Sequence, residues 1–137
     1  MKLILEERTL TDLDFVRLQR LVRDHAAGWE ESPLEGVLDA ARCVPPRHVE
    51  PDVVTMNSRV LVGHFDSAEG ASELTLSYPP EARPADGFVS VLSPIGTALL
   101  GLRIGDIARW KTPHGQEKSA RVMALLFQPE ANGHYTV

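Results

Sequence analysis

The stretch Val91-Leu92-Ser93-Pro94-Ile95-Gly96-Thr97-Ala98-Leu99-Leu100-Gly101-Leu102-Arg103-Ile104-Gly105-Asp106 constrains this chain more than any other. Ser93 can accept a hydrogen bond from an orphan amide at a helix start, and Pro94, with no amide to leave unpaired, suits the first helical position. Ile95, Ala98, Leu99 and Leu102 recur at three- and four-residue spacing. They give a short helix one apolar face, and Gly101 offers the left-handed backbone that closes it. A helix of about two turns cannot stand alone, because nucleation costs more than so few hydrogen bonds return. The fold therefore has to wrap it, and the flanking segments read as strands.

Val54, Met56, Val60 and Val62 fall on one face of an expected strand, and Leu74, Leu76 and Tyr78 on a second, after the turn-rich Asp66-Ser67-Ala68-Glu69-Gly70. Phe88 to Leu92 is a third strand leading into the short helix, Ile107 to Lys111 a fourth and Ser119 to Gln128 a fifth. Thr112-Pro113-His114-Gly115 between the last two suits a type I turn. Asn57, Ser58 and Arg59 interrupt the first strand, which points to a bulge or a polar contact, with Arg59 a candidate for touching a partner.

Ahead of the strands the period is helical. Thr9 or Thr11 can cap a helix whose first turn carries Asp12 and Asp14, and Phe15, Leu18, Leu21, Val22 and Ala26 form its apolar stripe as far as Gly28. Ser32, Pro33 and Glu35 make a capping box for a second helix with Leu34, Val37, Leu38 and Ala41 inward, stopped by Pro45-Pro46. Cys43 falls in that stripe and reads as a buried, inert thiol. Two such helices, joined by about four residues, are expected to pack as an antiparallel hairpin. The fold class is thus α+β: an N-terminal helical hairpin over 1–45, a proline-rich linker over 46–52, and a mainly antiparallel sheet domain curled round one short helix over 53–137.

With 14 basic and 19 acidic residues the net charge is −5, which disfavours sequence-specific nucleic-acid binding, where a basic patch is the usual footprint. A single cysteine excludes an intrachain disulfide and a multi-cysteine metal site. No apolar run approaches the roughly 20 residues needed to span a bilayer, and acids interrupt the N-terminus too early for a secretory signal. A cytoplasmic protein without membrane contact is expected. His25, His48, His64, His114 and His134 lack the spacing of paired metal ligands, Ser93 lacks a nucleophile elbow, and no glycine-rich phosphate loop is present. No catalytic centre, metal site or cofactor is expected, and the chain reads as a non-enzyme.

The run Ser93 to Gly101, with Ile104-Gly105-Asp106 and Trp110-Lys111-Thr112-Pro113-His114-Gly115, resembles the C-terminal domain of the GreA/GreB transcript-cleavage factors of bacterial RNA polymerase. Asp52-Val53-Val54-Thr55-Met56-Asn57-Ser58-Arg59-Val60 and the ending Phe127-Gln128-Pro129-Glu130 are similar to a narrower branch, the regulators of nucleoside diphosphate kinase. The resemblance covers most of residues 52–130. It implies an FKBP-like fold for the sheet domain. It also implies docking on the β′ rim helices of RNA polymerase through the loop entering the short helix, where Ser93 and Pro94 match the motif and Ile95 and Gly96 follow.

In Gre factors, acids at the tip of a long helical arm reach through the polymerase secondary channel and help hold a catalytic magnesium ion. Here Glu30 and Glu31 stand at the corresponding turn. A first helix of about 17 residues reaches only about 25 Å, well short of such an arm, and Glu35 is accounted for as a capping acid. The expected function is therefore a non-catalytic polymerase-binding regulator that competes with Gre-type factors at the channel entrance without stimulating cleavage. Two alternatives stand beside it: a peptidyl-prolyl isomerase on the FKBP-like sheet, drawing on Phe65, Tyr78, Phe88, Trp110, Phe127 and Tyr135, and a short-armed cleavage factor.

Overall fold

Val44 precedes Pro45, and the proline ring drives the residue before it into extended backbone. In the computed structural model, which describes residues 7–25, 33–64 and 70–136, Val44 is the last residue of an extended segment that follows the second helix. Strand β1 (Arg8–Thr11) pairs in parallel with β2 (Ala41–Val44), with Arg8 opposite Ala41 and Thr11 opposite Val44. Parallel neighbours need a crossover, and helices α1 (Asp12–His25) and α2 (Pro33–Ala40) supply it.

One expectation is corrected here, and one pair of alternatives is resolved. Ala41 to Val44 leave the helix for a strand, and Cys43 is exposed on β2 rather than buried in a helical stripe. Thr9 lies in β1, and the cap falls to Thr11, whose Oγ1 accepts from the Asp14 amide at 3.0 Å.

The remaining strands are β3 (Arg59–His64), β4 (Ala71–Ser77), β5 (Phe88–Ser90), β6 (Ile107–Lys111) and β7 (Glu117–Phe127), in the order β5-β4-β3-β7-β6. All pairs are antiparallel except β4 with β5. The strand expected from Val54 begins only at Arg59. Before it the chain makes a turn in which Ser58 N donates to Thr55 O at 3.1 Å and Asn57 takes the left-handed conformation at φ 67°. Val54 and Met56 are nonetheless buried, so their alternation reflects the core and not a ladder. The expected bulge is present as a register shift between Arg59 and Val60 against β7.

The sheet curls round helix α3 (Pro94–Leu99), which touches β4, β5, β6 and α2. One apolar cluster joins Leu10, Leu18, Leu34 and Leu38 to Val60, Val62, Leu76, Leu99, Leu100, Leu102 and Val122. Leu99 and Leu100, expected in the core, are fully buried. The 46–52 stretch is fastened at its end: Arg103 bridges Asp52 at 2.9 Å and Glu50 at 3.0 Å, and Gln128 Nε2 donates to Glu50 O and Val53 O, both at 2.8 Å. No helix among the described residues is long and apolar enough to cross a membrane.

Candidate functional site

Four residues build the entrance to α3. Ser93 is extended (φ −71°, ψ 158°), and its Oγ accepts from Gly96 N at 3.1 Å while donating to Ser90 O at 2.6 Å. Both capacities of that hydroxyl are therefore used, which makes it a cap and leaves no proton poised for nucleophilic chemistry. Ser90 Oγ accepts from Leu92 N at 3.0 Å, and Thr97 Oγ1 donates to Val91 O at 2.6 Å, so the turn is braced from both sides. Gly96 is required by close approach, because a Cβ there would lie 1.9 Å from Ser90 O. The result is a rigid corner with Pro94 exposed, Ser93 and Ile95 half-buried, and Gly96 inside.

The far end of α3 is held by the N-terminal segment. The Arg8 guanidinium donates to Thr97 O at 3.1 Å and Leu100 O at 2.7 Å, the carbonyls a helix end leaves unpaired, and Thr9 N donates to Gly101 O at 3.0 Å. Gly101 takes the left-handed backbone (φ 80°) that side chains disfavour, and a Cβ there would sit tightly, 3.1 Å from the Thr9 backbone.

A second polar constellation, which pattern reading does not assemble, joins α1 to the sheet domain. Asp14 is 2% exposed, and its Oδ2 accepts from Met56 N at 3.1 Å. Thr55 Oγ1 donates to Glu130 Oε1 at 2.7 Å, and Ser58 Oγ accepts from Thr55 N at 2.9 Å. Burial pushes the Asp14 carboxyl up to about 7. Glu130 adds to this, while the Met56 amide, the Thr11 hydroxyl and the Arg17 charge oppose it. Glu130 is also raised, by burial first. Burial, reinforced by Asp14, pushes the Tyr78 hydroxyl up to about 12. Asp14 reads in the sequence only as a first-turn acid suited to the helix dipole. Its burial depends on a turn 42 residues later, for which the chain carries one local signal, the Asn57-Ser58-Arg59 interruption.

Arg59 is exposed and bridges Glu73 on the neighbouring strand. Glu30 and Glu31, the candidate tip acids, lie outside the described residues, as do Ser32 and Phe65. Among the described residues no three His, Cys, Asp or Glu side chains are gathered where they could hold a metal ion.

Comparison with known proteins gives the chain's relatives. The family described as transcription elongation factor, GreA/GreB, C-terminal, matches residues 49–126. A regulator of nucleoside diphosphate kinase from Escherichia coli K12 is 39% identical over 128 residues, covering 92% of this chain and 93% of that protein. Transcription elongation factor GreA from Chloroherpeton thalassium is 38% identical over 84 residues, 61% of this chain and 52% of that protein. Among solved structures, a prokaryotic transcription elongation factor GreA/GreB from Nitrosomonas europaea superposes with a TM-score of 0.71 at 34% identity, covering 88% of this chain and 99% of that one.

Proposed function

The chain belongs to the GreA/GreB family of transcription elongation factors, and on that premise we propose that it is a non-catalytic regulator that binds RNA polymerase near the entrance of the secondary channel. Its sheet domain, FKBP-like in this reading, docks on the β′ rim helices through the corner at Ser93, Pro94 and Ile95, which Gly96 shapes from within. A corner already fixed by its own hydrogen bonds presents Pro94 to a partner with little ordering left to do on binding. Helices α1 and α2 form a short antiparallel hairpin directed into the channel.

The observation that carries the non-catalytic part is the parallel pairing of β1 with β2. It leaves residues 12–40 to travel out and back. Helix α1, 14 residues long, reaches only about 21 Å at 1.5 Å per residue. A hairpin of that reach stays too close to the entrance to serve a magnesium ion deep in the enzyme. The isomerase alternative draws no support from three of its aromatic side chains, which are engaged separately: Arg83 lies 4.8 Å over Phe88, Arg47 4.8 Å over Tyr135, and Phe127 6.2 Å from His134.

Pull-down with core polymerase, repeated with excess GreA or GreB, tests this reading. Binding that the competitor displaces, together with backtracked complexes whose RNA is not shortened faster, is expected. Absence of binding, indifference to competitor, or accelerated cleavage lost in Glu30→Ala with Glu31→Ala would reject it.

A further inference from the structure

Two clefts meet at the strand beside the Pro94 corner. One, of about 350 Å³, lies between α2, α3 and β6 and is lined by Val37, Leu92, Pro94, Ala98 and Trp110 with Arg8, Arg109 and Lys111 at its margins. The other, of about 340 Å³, lies on the β6–β7 hairpin and adds Lys118 and Glu117 to Arg109, Trp110 and Lys111. Trp110 is half-buried and belongs to both. In register it stands opposite Lys118, with Lys111 opposite Glu117.

The charge here runs against that of the whole protein. The two clefts are lined by four cations, Arg8, Arg109, Lys111 and Lys118, and one acid, Glu117, in a chain of net charge −5. Arg8 is held against the carbonyls of α3, which leaves Lys111 and Lys118, on the β6–β7 hairpin, as the cations placed to meet a partner's carboxylates. An apolar floor centred on a tryptophan and rimmed by cations is the arrangement in which a bulky side chain anchors while acidic neighbours steer and set the register.

We infer that this double cleft receives an acidic polypeptide segment bearing one bulky apolar side chain, the apolar side chain entering between α2 and Trp110 and the carboxylates lying over Lys111 and Lys118. The inference rests on docking through the Pro94 corner, which shares the first cleft, and adds the chemistry that the partner segment must carry. It also gives α2 a part in recognition, because Val37 forms one wall.

The test is equilibrium binding of the full chain to bacterial core RNA polymerase at low and high salt. Lys111→Glu with Lys118→Glu is expected to weaken binding at least about tenfold at low salt, with the gap closing as screening grows. Lys111→Arg with Lys118→Arg is expected to bind as the parent does. Val37→Asn is expected to weaken binding about equally at both salt concentrations, since burial of an apolar anchor is not screened. Circular dichroism confirms that each variant is folded. If charge reversal changes affinity by less than about twofold while Ser93→Asp weakens it, the acidic segment is overturned and the corner's docking role stands. If Val37→Asn binds as the parent does, the anchor is overturned. If the parent chain does not bind core polymerase, the docking reading itself fails and takes this inference with it.

Discussion

The corner at Ser93 and the joint at Asp14 both begin with a hydroxyl capping an amide three residues on, Ser93 to Gly96 and Thr11 to Asp14. From there they diverge. At the corner every other partner, Ser90, Val91 and Leu92, lies within a few residues, all neutral. At the joint the capped residue is itself an acid, carried into the core to meet Met56, near a Thr55 that reaches Glu130, 75 residues on. Local neutral hydrogen bonds make a rigid corner with nothing to titrate. Long-range ones to a buried carboxyl make a joint whose strength depends on protonation.

The largest expected effect exploits that contrast. Asp14 is ordinarily half-ionised near 3.8 but near 7 in the folded chain. Its contribution is therefore most favourable below about pH 4 and is lost as pH rises toward 7, on the order of 4 kcal/mol in all. Urea midpoints at pH 4.5 and pH 8 should differ accordingly once other groups are subtracted. Asp14→Asn, which keeps an oxygen acceptor for Met56 N, should flatten that part of the profile. Identical profiles for parent and variant would erase the distinction between joint and corner. Glu130, also raised by burial, adds in the same direction.

The corner should instead fail on shape. Gly96→Ala places a methyl 1.9 Å from Ser90 O, and is expected to cost about 3 kcal/mol, the upper end of the usual range for overpacking. Because no ionisable group is involved, the loss in urea midpoint should be the same at pH 4.5 and pH 8. Ser93→Ala, which removes the cap and the bond to Ser90 O, should cost about 1 kcal/mol, again without pH dependence. A pH-dependent loss at either position would show that the corner and the joint are coupled through the core.

The same divide explains what the sequence disclosed. Ser93-Pro94 and Gly101 announce α3 because a cap, a missing amide and a left-handed glycine act over one helical turn. The five strands of the main sheet follow from alternation, although β3 starts later than Val54 because Thr55 and Ser58 bond each other before the ladder begins. The pairing of β1 with β2 was hidden because two four-residue strands joined by a crossover carry no period of their own, and Thr9-Leu10-Thr11 reads equally as the approach to a cap. The lean of Val44 toward extended backbone before Pro45 was the one available signal. Exposure of Cys43 follows from that missed strand, and burial of Asp14 from a contact no local pattern encodes. Of the candidate site, Pro94 is legible as an exposed proline at a helix start. The surrounding clefts are not, because α2, α3 and β6 meet only in three dimensions.

Distance along the chain is not by itself what gives the joint its pH dependence, and Arg59 with Glu73 separates the two causes. Their bridge also joins residues far apart in sequence, across β3 and β4, yet their side chains are 55% and 51% exposed. Water already solvates both charges there, so the pair gains little from meeting and loses little on parting. Glu73→Gln should accordingly move the urea midpoint by no more than about 0.5 kcal/mol, and less at high salt. That small value beside the Asp14 effect would assign the difference to desolvation. A loss at Glu73 rivalling that at Asp14 would assign it instead to the closure of long-range contacts, and the contrast between corner and joint would then be one of topology and not of charge.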